Sequence, residues 1–551
     1  MRMMSSKLNK YLYASNIHKH VPVMLHQHHY HSTSFLEASK ENLSVAIVGT
    51  GPSGCYTAKY LLSTIKQLQS KSKQQTQKMD AADINATVMN LKYVDIDMID
   101  KLPTPFGLVR SGVAPDHPEV KNVENDFAKL FNVNSKNIQN DVNDTIPDED
   151  DSDGIQSSME FRGNVTVGKD ISLHELQNLY DIVVLAYGCE SDRKLGLEGE
   201  DLQGVFSARE FVAWYNGHPD FEHMGSEFQH VLDDPNGTGV EVVVIGQGNV
   251  ALDCARVLAK GRQGLVDTDI TSRALDVIGD GVKCTSVLGR RGHVQGAFTI
   301  KELRELTKLD DVSFVINEKE LDAGLTDASV EELNGPRSRP KVRIDKLLRD
   351  TASKPIEKRE KEIRVRFLLN PVKFKSSDGN SSRLGSVICE RTELEGEAGQ
   401  QRAVGTGVME EIRASIALVS IGYRGLQIPG LDDSLFDQTR GIVKNVHGKV
   451  ADNLYVCGWL KRGPTGIIGT NLVDAKDTIS SVLKDLNDLP SDNSEGRIGL
   501  DNLLTKRDTK FVDWSSYQNI DAAEKDSSRL RSKDQPREKF TNKDEMISFL
   551  K

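Results

Sequence analysis

Val45-Ala46-Ile47-Val48-Gly49-Thr50-Gly51-Pro52-Ser53-Gly54 decides the fold of this chain: a short apolar run, then glycines at G-x-G-x-x-G spacing, then a segment with helical periodicity. The first glycine permits a tight strand-to-helix turn, and the second lets a pyrophosphate approach the backbone. The third lets the helix pack close to the strand, with its N-terminal NH groups aimed at the anion. One such turn can also be a plain connection. Here the pattern recurs: Val242-Val243-Val244-Ile245 leads into Gly246-Gln247-Gly248-Asn249-Val250-Ala251. Two copies in the same context imply two dinucleotides on one polypeptide, and so electron transfer between them.

Working outward, strand-like and helix-like segments alternate, which predicts α/β layering. An alternating run at 94–99 ends at Asp100. Apolar runs at 181–187, 241–245, 286–288, 416–421 and 453–457 read as further strands. The runs at 44–48, 94–99 and 181–187 belong together, and the late Gly458-Trp459 segment returns to them. The predicted fold is therefore two Rossmann-like dinucleotide-binding domains, the second inserted into the first. The expected boundaries are 41–191 and 423–551 for the interrupted domain and 192–422 for the inserted one. Polar stretches at 66–92 and 134–160 read as inserted loops. The residues from about Leu486 read as a loosely packed C-terminal extension.

The net charge of −11 argues against nucleic acid as the main partner, because a phosphate binder carries a basic excess. No apolar run approaches a membrane-spanning length, so membrane contact is at most peripheral. Residues 1–35 contain no Asp or Glu but include Arg2, Lys7, Lys10 and Lys19 among frequent Ser and His. That composition predicts a mitochondrial presequence over 1–40, and hence the matrix or the matrix face of the inner membrane. The six cysteines lie far apart, with no C-x-x-C pair. A redox dithiol or an iron–sulfur cluster needs closely spaced thiols, so neither is expected, and no metal site is predicted.

The two turns call for different nucleotides. The second is followed, at the end of its next strand, by Gly289-Arg290-Arg291-Gly292. A ribose 2′-phosphate repels a carboxylate and suits guanidinium forks, which predicts NADP(H) there. The first is followed by Asp100, which suits an unphosphorylated adenosine ribose and predicts FAD. NADPH gives up its electrons as a pair, whereas a flavin can release them singly. Without a dithiol or cluster of its own, the protein is expected to pass single electrons to an external carrier.

Longer stretches are more specific than the glycines. Pro105-Phe106-Gly107-Leu108-Val109-Arg110-Ser111-Gly112-Val113-Ala114-Pro115-Asp116-His117-Pro118, Phe161-Arg162-Gly163-Asn164-Val165-Thr166-Val167-Gly168, Ala297-Phe298-Thr299-Ile300-Lys301-Glu302-Leu303-Arg304 and Gly458-Trp459-Leu460-Lys461-Arg462-Gly463-Pro464-Thr465-Gly466 together resemble the mitochondrial adrenodoxin reductase family, the NADPH:ferredoxin reductases. The likeness runs from Ser44 to the C-terminus, with departures at the two polar stretches and at Ile468-Gly469-Thr470-Asn471. It implies a disulfide-reductase-like pair of domains in which NADPH reduces FAD and the flavin then reduces a mitochondrial [2Fe–2S] ferredoxin. With the glycine turns, it implies FAD at Gly49, Gly51, Ser53, Gly54, Asp100, Leu108, Val167, Trp459, Gly466, Ile467 and Ile468. It implies NADP at Gly246, Gln247, Gly248, Asn249, Val250, Arg290, Arg291, Glu302 and Gly466.

The resemblance also places His117 and Asp253 near the flavin as catalytic residues. Hydride transfer mainly needs two stacked rings, so the protein positions them and excludes water. His117, a group able to titrate near neutral pH, would handle the flavin proton. The alternative is structural: His117 capping a loop and Asp253 orienting the helix after the second turn. Arg337, Arg339, Lys341, Arg343, Lys346 and Arg349 crowd one stretch, and the resemblance adds Arg304. Arg304, Arg339 and Arg343 are the expected contacts to an acidic ferredoxin, unless this is merely a solvated charged loop. Two rival readings stay open: another NADPH-dependent flavin oxidoreductase, or a flavin-bearing redox sensor with negligible turnover.

Overall fold

The strand Asn42–Val48 sits inside a six-stranded sheet because its Val45, Ala46 and Ile47 are wholly buried, leaving only backbone pairing to satisfy its polar groups. The computed structural model describes residues 40–74, 86–132, 155–232, 240–280, 282–377, 382–490 and 494–550. The presequence expected over 1–40 lies almost wholly outside them. The first sheet runs Lys449–Ala451, Leu454–Val456, Ile182–Leu185, Asn42–Val48, Tyr93–Ile99, Gln156–Arg162. All neighbours are parallel except the first two strands. The second sheet is wholly parallel and runs Val205–Ser207, Ile416–Val419, Val240–Ile245, Val282–Leu288, Lys361–Arg366, Val312–Ile316.

The chain leaves the first sheet after Ile182–Leu185 and rejoins it at Lys449–Ala451, having built the second sheet in between. The fold is thus two Rossmann-like halves, one inserted into the other. Ser191–Asp192 and Tyr423–Arg424 pair antiparallel where the chain crosses out and back. An antiparallel three-stranded sheet, Leu369–Ser376, Leu384–Glu395 and Arg402–Arg413, is appended to the second half.

Three expectations need correction. The stretch at 66–92 is not simply a loop: the helix after the first glycine turn runs Pro52–Gln74, and Ala86–Asn90 is helical too. Gln and Lys are good helix formers, and Gln69 Nε2 ties the two helices by donating to the carbonyls of Val88 and Leu91 at 2.8 and 2.9 Å. Residues 75–85 lie outside the described residues, as do 133–154. The second stretch ends earlier than expected, because Gln156–Arg162 is the sheet's edge strand, where a half-exposed pattern tolerates its Gln and Ser residues.

The C-terminal extension is closely packed rather than loose. Its helices Gly496–Lys506 and Trp514–Glu524 bury Leu500, Leu504, Tyr517 and Ile520, and Trp514 stacks on Phe131 with ring centroids 4.3 Å apart. Each such side chain contributes about 2 kcal/mol on leaving water. Its charges also find buried partners: Arg110 with Glu524 at 2.5 Å and Arg162 with Asp501 at 2.9 Å. Composition alone reads these polar residues as solvated. No helix among the described residues is long and apolar enough to cross a membrane.

Candidate active site: two glycine turns and a buried charge cluster

At the first turn Gly49 has φ 106°, and a Cβ there would lie 2.6 Å from the carbonyl oxygen of Ala186. A Cβ on Gly54 would meet the Gly49 carbonyl at 2.0 Å, so the helix enters directly over the strand end. Gly51 faces Gly107, where a Cβ would stand 3.1 Å from the Gly51 Cα. The carboxylate of Asp100 accepts from the Thr50 amide at 3.0 Å and from the Leu102 amide at 3.0 Å, bracing the turn. A carboxylate offers about four acceptor sites, which leaves capacity for a ribose hydroxyl.

Two further segments close on this turn. Phe106 takes a left-handed φ of 78°, a conformation that costs a non-glycine residue about 1 kcal/mol or more, and is held there by buried ring contacts to Phe127, Trp514 and Tyr517. Gly107 and Leu108 follow, with Leu108 exposed. From the other side comes Gly458, with φ 73°, where a Cβ would overlap Ser53 Oγ at 1.8 Å. Ser53 Oγ in turn donates to Asn471 Oδ1 at 3.1 Å. Trp459 is half-buried, its Nε1 donating to the Thr465 carbonyl at 3.2 Å, and Val167 is buried. Gly466 and Ile467 are exposed, and Ile468 is half-buried.

The second turn has the same start and a different rim. Gly246 has φ 140°, and a Cβ there would lie 2.1 Å from the Ser420 carbonyl oxygen. Gly248 is the N-cap of the helix Asn249–Leu265, with no side-chain cap and nothing within 4 Å of a Cβ built on it. Asn249 Oδ1 accepts from the Thr299 amide at 2.8 Å, Gln247 Nε2 donates to the Arg366 carbonyl at 3.2 Å, and Val250 is half-buried. Arg290 and Arg291 follow the strand Val282–Leu288 and are exposed. An uncapped helix end beside open backbone and two guanidinium groups can hold phosphate.

His117 and Asp253 belong to one buried cluster that spans both halves. His117 Nε2 lies 2.7 Å from Glu305 and 4.0 Å from Glu302. Arg256, only 1% exposed, is its hub. It forks onto Asp116 at 2.8 and 3.1 Å, touches Asp253 at 2.7 Å, and lies 3.5 and 3.4 Å from Glu302 and Glu305. Lys260 also reaches Asp116 at 2.9 Å. Burial pulls the Asp116 carboxyl upward, but the bonds and charge of Arg256, with Lys260, outweigh it and hold that group below the usual carboxylate range. Asp253 goes the other way: burial raises it further than Arg256 lowers it. Glu302 is raised too, by burial and then by Asp253. Carboxylates outnumber fixed cations here, so the cluster favours holding an extra proton.

Sequence reasoning misses Asp116, Arg256 and Glu305. Arg256 stands three residues beyond Asp253, and Glu305 three beyond Glu302, the spacing that shares a helix face, so the signal was present. All six cysteines are free and buried, and burial pushes the Cys189 thiol up to about 12, which leaves it unreactive. Of the basic stretch, Lys341 pairs with Glu332, Lys346 with Asp350, and Arg349 with Asp345 and Asp322. Arg339 and Arg343, on the helix Arg339–Ala352, are exposed. So is Arg304, on the helix Ile300–Leu306 that packs against it.

Two mainly parallel sheets, each with a glycine turn leading into a helix N-terminus, define the class: an oxidoreductase fold with two dinucleotide sites. The chain is 37% identical over 533 residues to NADPH:adrenodoxin oxidoreductase, mitochondrial, of Arabidopsis thaliana, covering 94% of this chain and 97% of that protein. The human protein of the same name is 36% identical over 521 residues, covering 92% and 91%. The solved structure of Mycobacterium tuberculosis FprA in complex with NADPH superposes with a TM-score of 0.74 at 35% identity, covering 93% of this chain and 99% of that one. No protein-family model matches. The chain belongs to the NADPH:adrenodoxin oxidoreductase family.

Proposed function

We propose that this chain is an NADPH:ferredoxin reductase of the mitochondrial matrix, holding FAD at the first glycine turn and NADP(H) at the second and reducing an adrenodoxin-type [2Fe–2S] ferredoxin. A bound flavin supplies the conversion of a hydride pair into single electrons. The observation that carries the reading is the pair of glycine turns in one compact unit, only the second of which is followed by exposed guanidinium groups. Arg290 and Arg291 would take the 2′-phosphate, with Gln247, Gly248, Asn249 and Val250 at the pyrophosphate. Asp100 suits a free ribose beside Gly49, Gly51, Ser53 and Gly54. Leu108, Val167, Trp459 and residues 466–468 would exclude water from the ring.

His117 and Asp253 would hold and move a proton beside the flavin. The short His117 Nε2–Glu305 contact and the raised Asp253 carboxyl support this. Glu302 would then link that cluster to the nicotinamide end. Arg304, Arg339 and Arg343 form the face for an acidic ferredoxin, supported by their exposure on two packed helices. We assign 41–191 and 423–551 to the FAD half and 192–422 to the NADP half, supported by the strand pairing at the crossing, and 1–40 to a presequence. Mixing purified, flavin-loaded protein with NADPH without oxygen should bleach the flavin within seconds or faster. Cytochrome c reduction should then require an added mitochondrial [2Fe–2S] ferredoxin. A flavin that NADPH leaves oxidised, or cytochrome c reduction indifferent to the ferredoxin, would overturn the proposal.

A further inference from the structure

The turn that carries Arg290 and Arg291 is held from several sides while the two side chains are exposed, Arg291 Nη2 donating to the Gln295 carbonyl at 3.4 Å. Thr392 Oγ1 donates to the Arg290 carbonyl at 2.7 Å, and the Leu368 amide to the Arg291 carbonyl at 3.3 Å. Gly292 packs backbone to backbone on Gly324: a Cβ on either would lie 3.2 Å from the other's Cα. The next residue, His293, is buried, with Nε2 2.9 Å from Asp345 Oδ1 on the helix Arg339–Ala352. Its Nδ1 is buried as well and meets no partner among the described residues. The ring stands edge-on to Phe367, centroids 5.8 Å apart. Asp345 also accepts from Arg349 at 3.0 Å, and Arg349 reaches Asp322 at 2.8 Å, which ties a second helix, Glu318–Ala323, to the same point.

An apolar side chain would fill this site without stranding a ring nitrogen, since an unpaired buried polar atom is unfavourable by about 1–3 kcal/mol. What the imidazole adds is a directed bond that fixes position 293 against a rigid helix. Position 293 lies two residues after Arg291. Bidentate capture of a phosphate by guanidinium forks depends on such placement, because a fork displaced by a fraction of its bond length keeps the charge and loses the paired hydrogen bonds.

We infer that His293 and Asp345 are a positioning pair that sets where Arg290 and Arg291 present their guanidinium groups, and so fixes the preference for a 2′-phosphorylated over an unphosphorylated nucleotide. The inference rests on the reading above that gives the 2′-phosphate to those arginines. Neither partner touches the nucleotide; both act through the turn. A histidine that merely packed the core would matter equally for both nucleotides.

The test is calorimetric titration of the full, flavin-loaded chain with NADP+ and with NAD+, where no turnover is involved. Asp345→Ala and His293→Leu should each raise the NADP+ Kd about tenfold and move the NAD+ Kd by less than about twofold. His293→Gln, whose amide can donate to Asp345, should recover much of the preference. In an Arg290→Ala, Arg291→Ala background, Asp345→Ala should add no further loss of NADP+ affinity, because the pair acts only through those arginines. Equal loss for both nucleotides, no loss, or an additive loss in that background would overturn the inference. If the two arginine substitutions by themselves leave NADP+ binding intact, the phosphate assignment fails first and this inference falls with it. Should His293→Leu fail to fold, Asp345→Ala, at a partly exposed site, carries the test alone.

Discussion

The two glycine turns begin alike and end differently. Gly49 and Gly246 are both pressed against a neighbouring strand, with carbonyl oxygens 2.6 and 2.1 Å from a hypothetical Cβ. Beyond that point the first turn is enclosed by chain from far away: Gly107 over Gly51, Gly458 over Ser53, Asn471 bonded to Ser53, and Asp100 tied to Thr50. The second opens to solvent at Gly248 and at Arg290 and Arg291. On the assignment proposed above, one motif would serve two lifetimes. A ligand walled in by several segments leaves only when they part, whereas one on an open rim exchanges at the rate its own contacts break. That is the arrangement a resident flavin and a consumable nucleotide require.

The comparison breaks most visibly at its glycines. Gly49→Ala combines a forbidden φ with overlap onto the main chain of Ala186 and Tyr187, which cannot rotate away. It should destabilise the protein by roughly 2–4 kcal/mol and yield material without bound flavin. Gly248→Ala, at φ −105° with open space around it, should keep both stability and flavin while losing NADP+ affinity. Absorbance spectra, thermal denaturation and calorimetry of the two variants decide this. Full flavin in Gly49→Ala would remove the distinction between the turns.

Next in size is the open rim. Arg290→Ala with Arg291→Ala should raise the KM for NADPH about a hundredfold, since hydrogen bonds to charged groups contribute about 1.5–3 kcal/mol each and 1.4 kcal/mol is tenfold. NADH kinetics and flavin content should be unchanged. If both nucleotides weaken together, the arginines hold the pyrophosphate rather than the 2′-phosphate.

The open rim is also the more legible of the two in the sequence. Gly248, Arg290 and Arg291 lie in short contiguous motifs whose chemistry needs no distant partner. The enclosing wall is not local: Phe106 and Gly107 reach the first turn from beyond the strand Tyr93–Ile99, and Gly458 and Asn471 reach it because the sheet returns at Leu454–Val456. The same holds for the charge cluster, where His117 and Asp253 are visible as reactive types but Arg256 becomes a hub only once Asp116 is folded against it. The C-terminal helices are misread for a related reason. Their apolar residues are few, and the partners of their charges lie hundreds of positions away, as with Arg110 and Glu524 or Asp97 and Arg497.

A smaller effect is expected on the basic face proposed for the ferredoxin. Arg304→Glu with Arg343→Glu reverses two exposed charges and touches neither turn. Ferredoxin reduction at low salt should fall about tenfold, with the deficit shrinking as ionic strength rises, because steering charges act through solvent. Ferricyanide reduction should stay near wild type. Equal loss with both acceptors would mean that the substitutions disturb the nucleotide side instead.

The smallest expected effect lies where the C-terminal tail packs against the second half. Lys539, fully buried in that tail, lies 2.8 Å from Asp269 of the second half, which also pairs with Lys121 at 2.7 Å. Burial, only partly offset by Asp269, pushes the Lys539 ammonium down to about 7 from an ordinary 10.5. Between those two values the unfolded chain binds more protons than the folded one, so stability should rise with pH across that window. Below about 7 both states carry the proton and the full desolvation penalty stands. Lys539→Met, similar in volume and uncharged, should flatten this slope, so that between pH 7 and pH 9 the wild-type Tm gains about 2 °C more than the variant's. Parallel Tm profiles for the two proteins would show that the tail's lysine is not under strain at this junction.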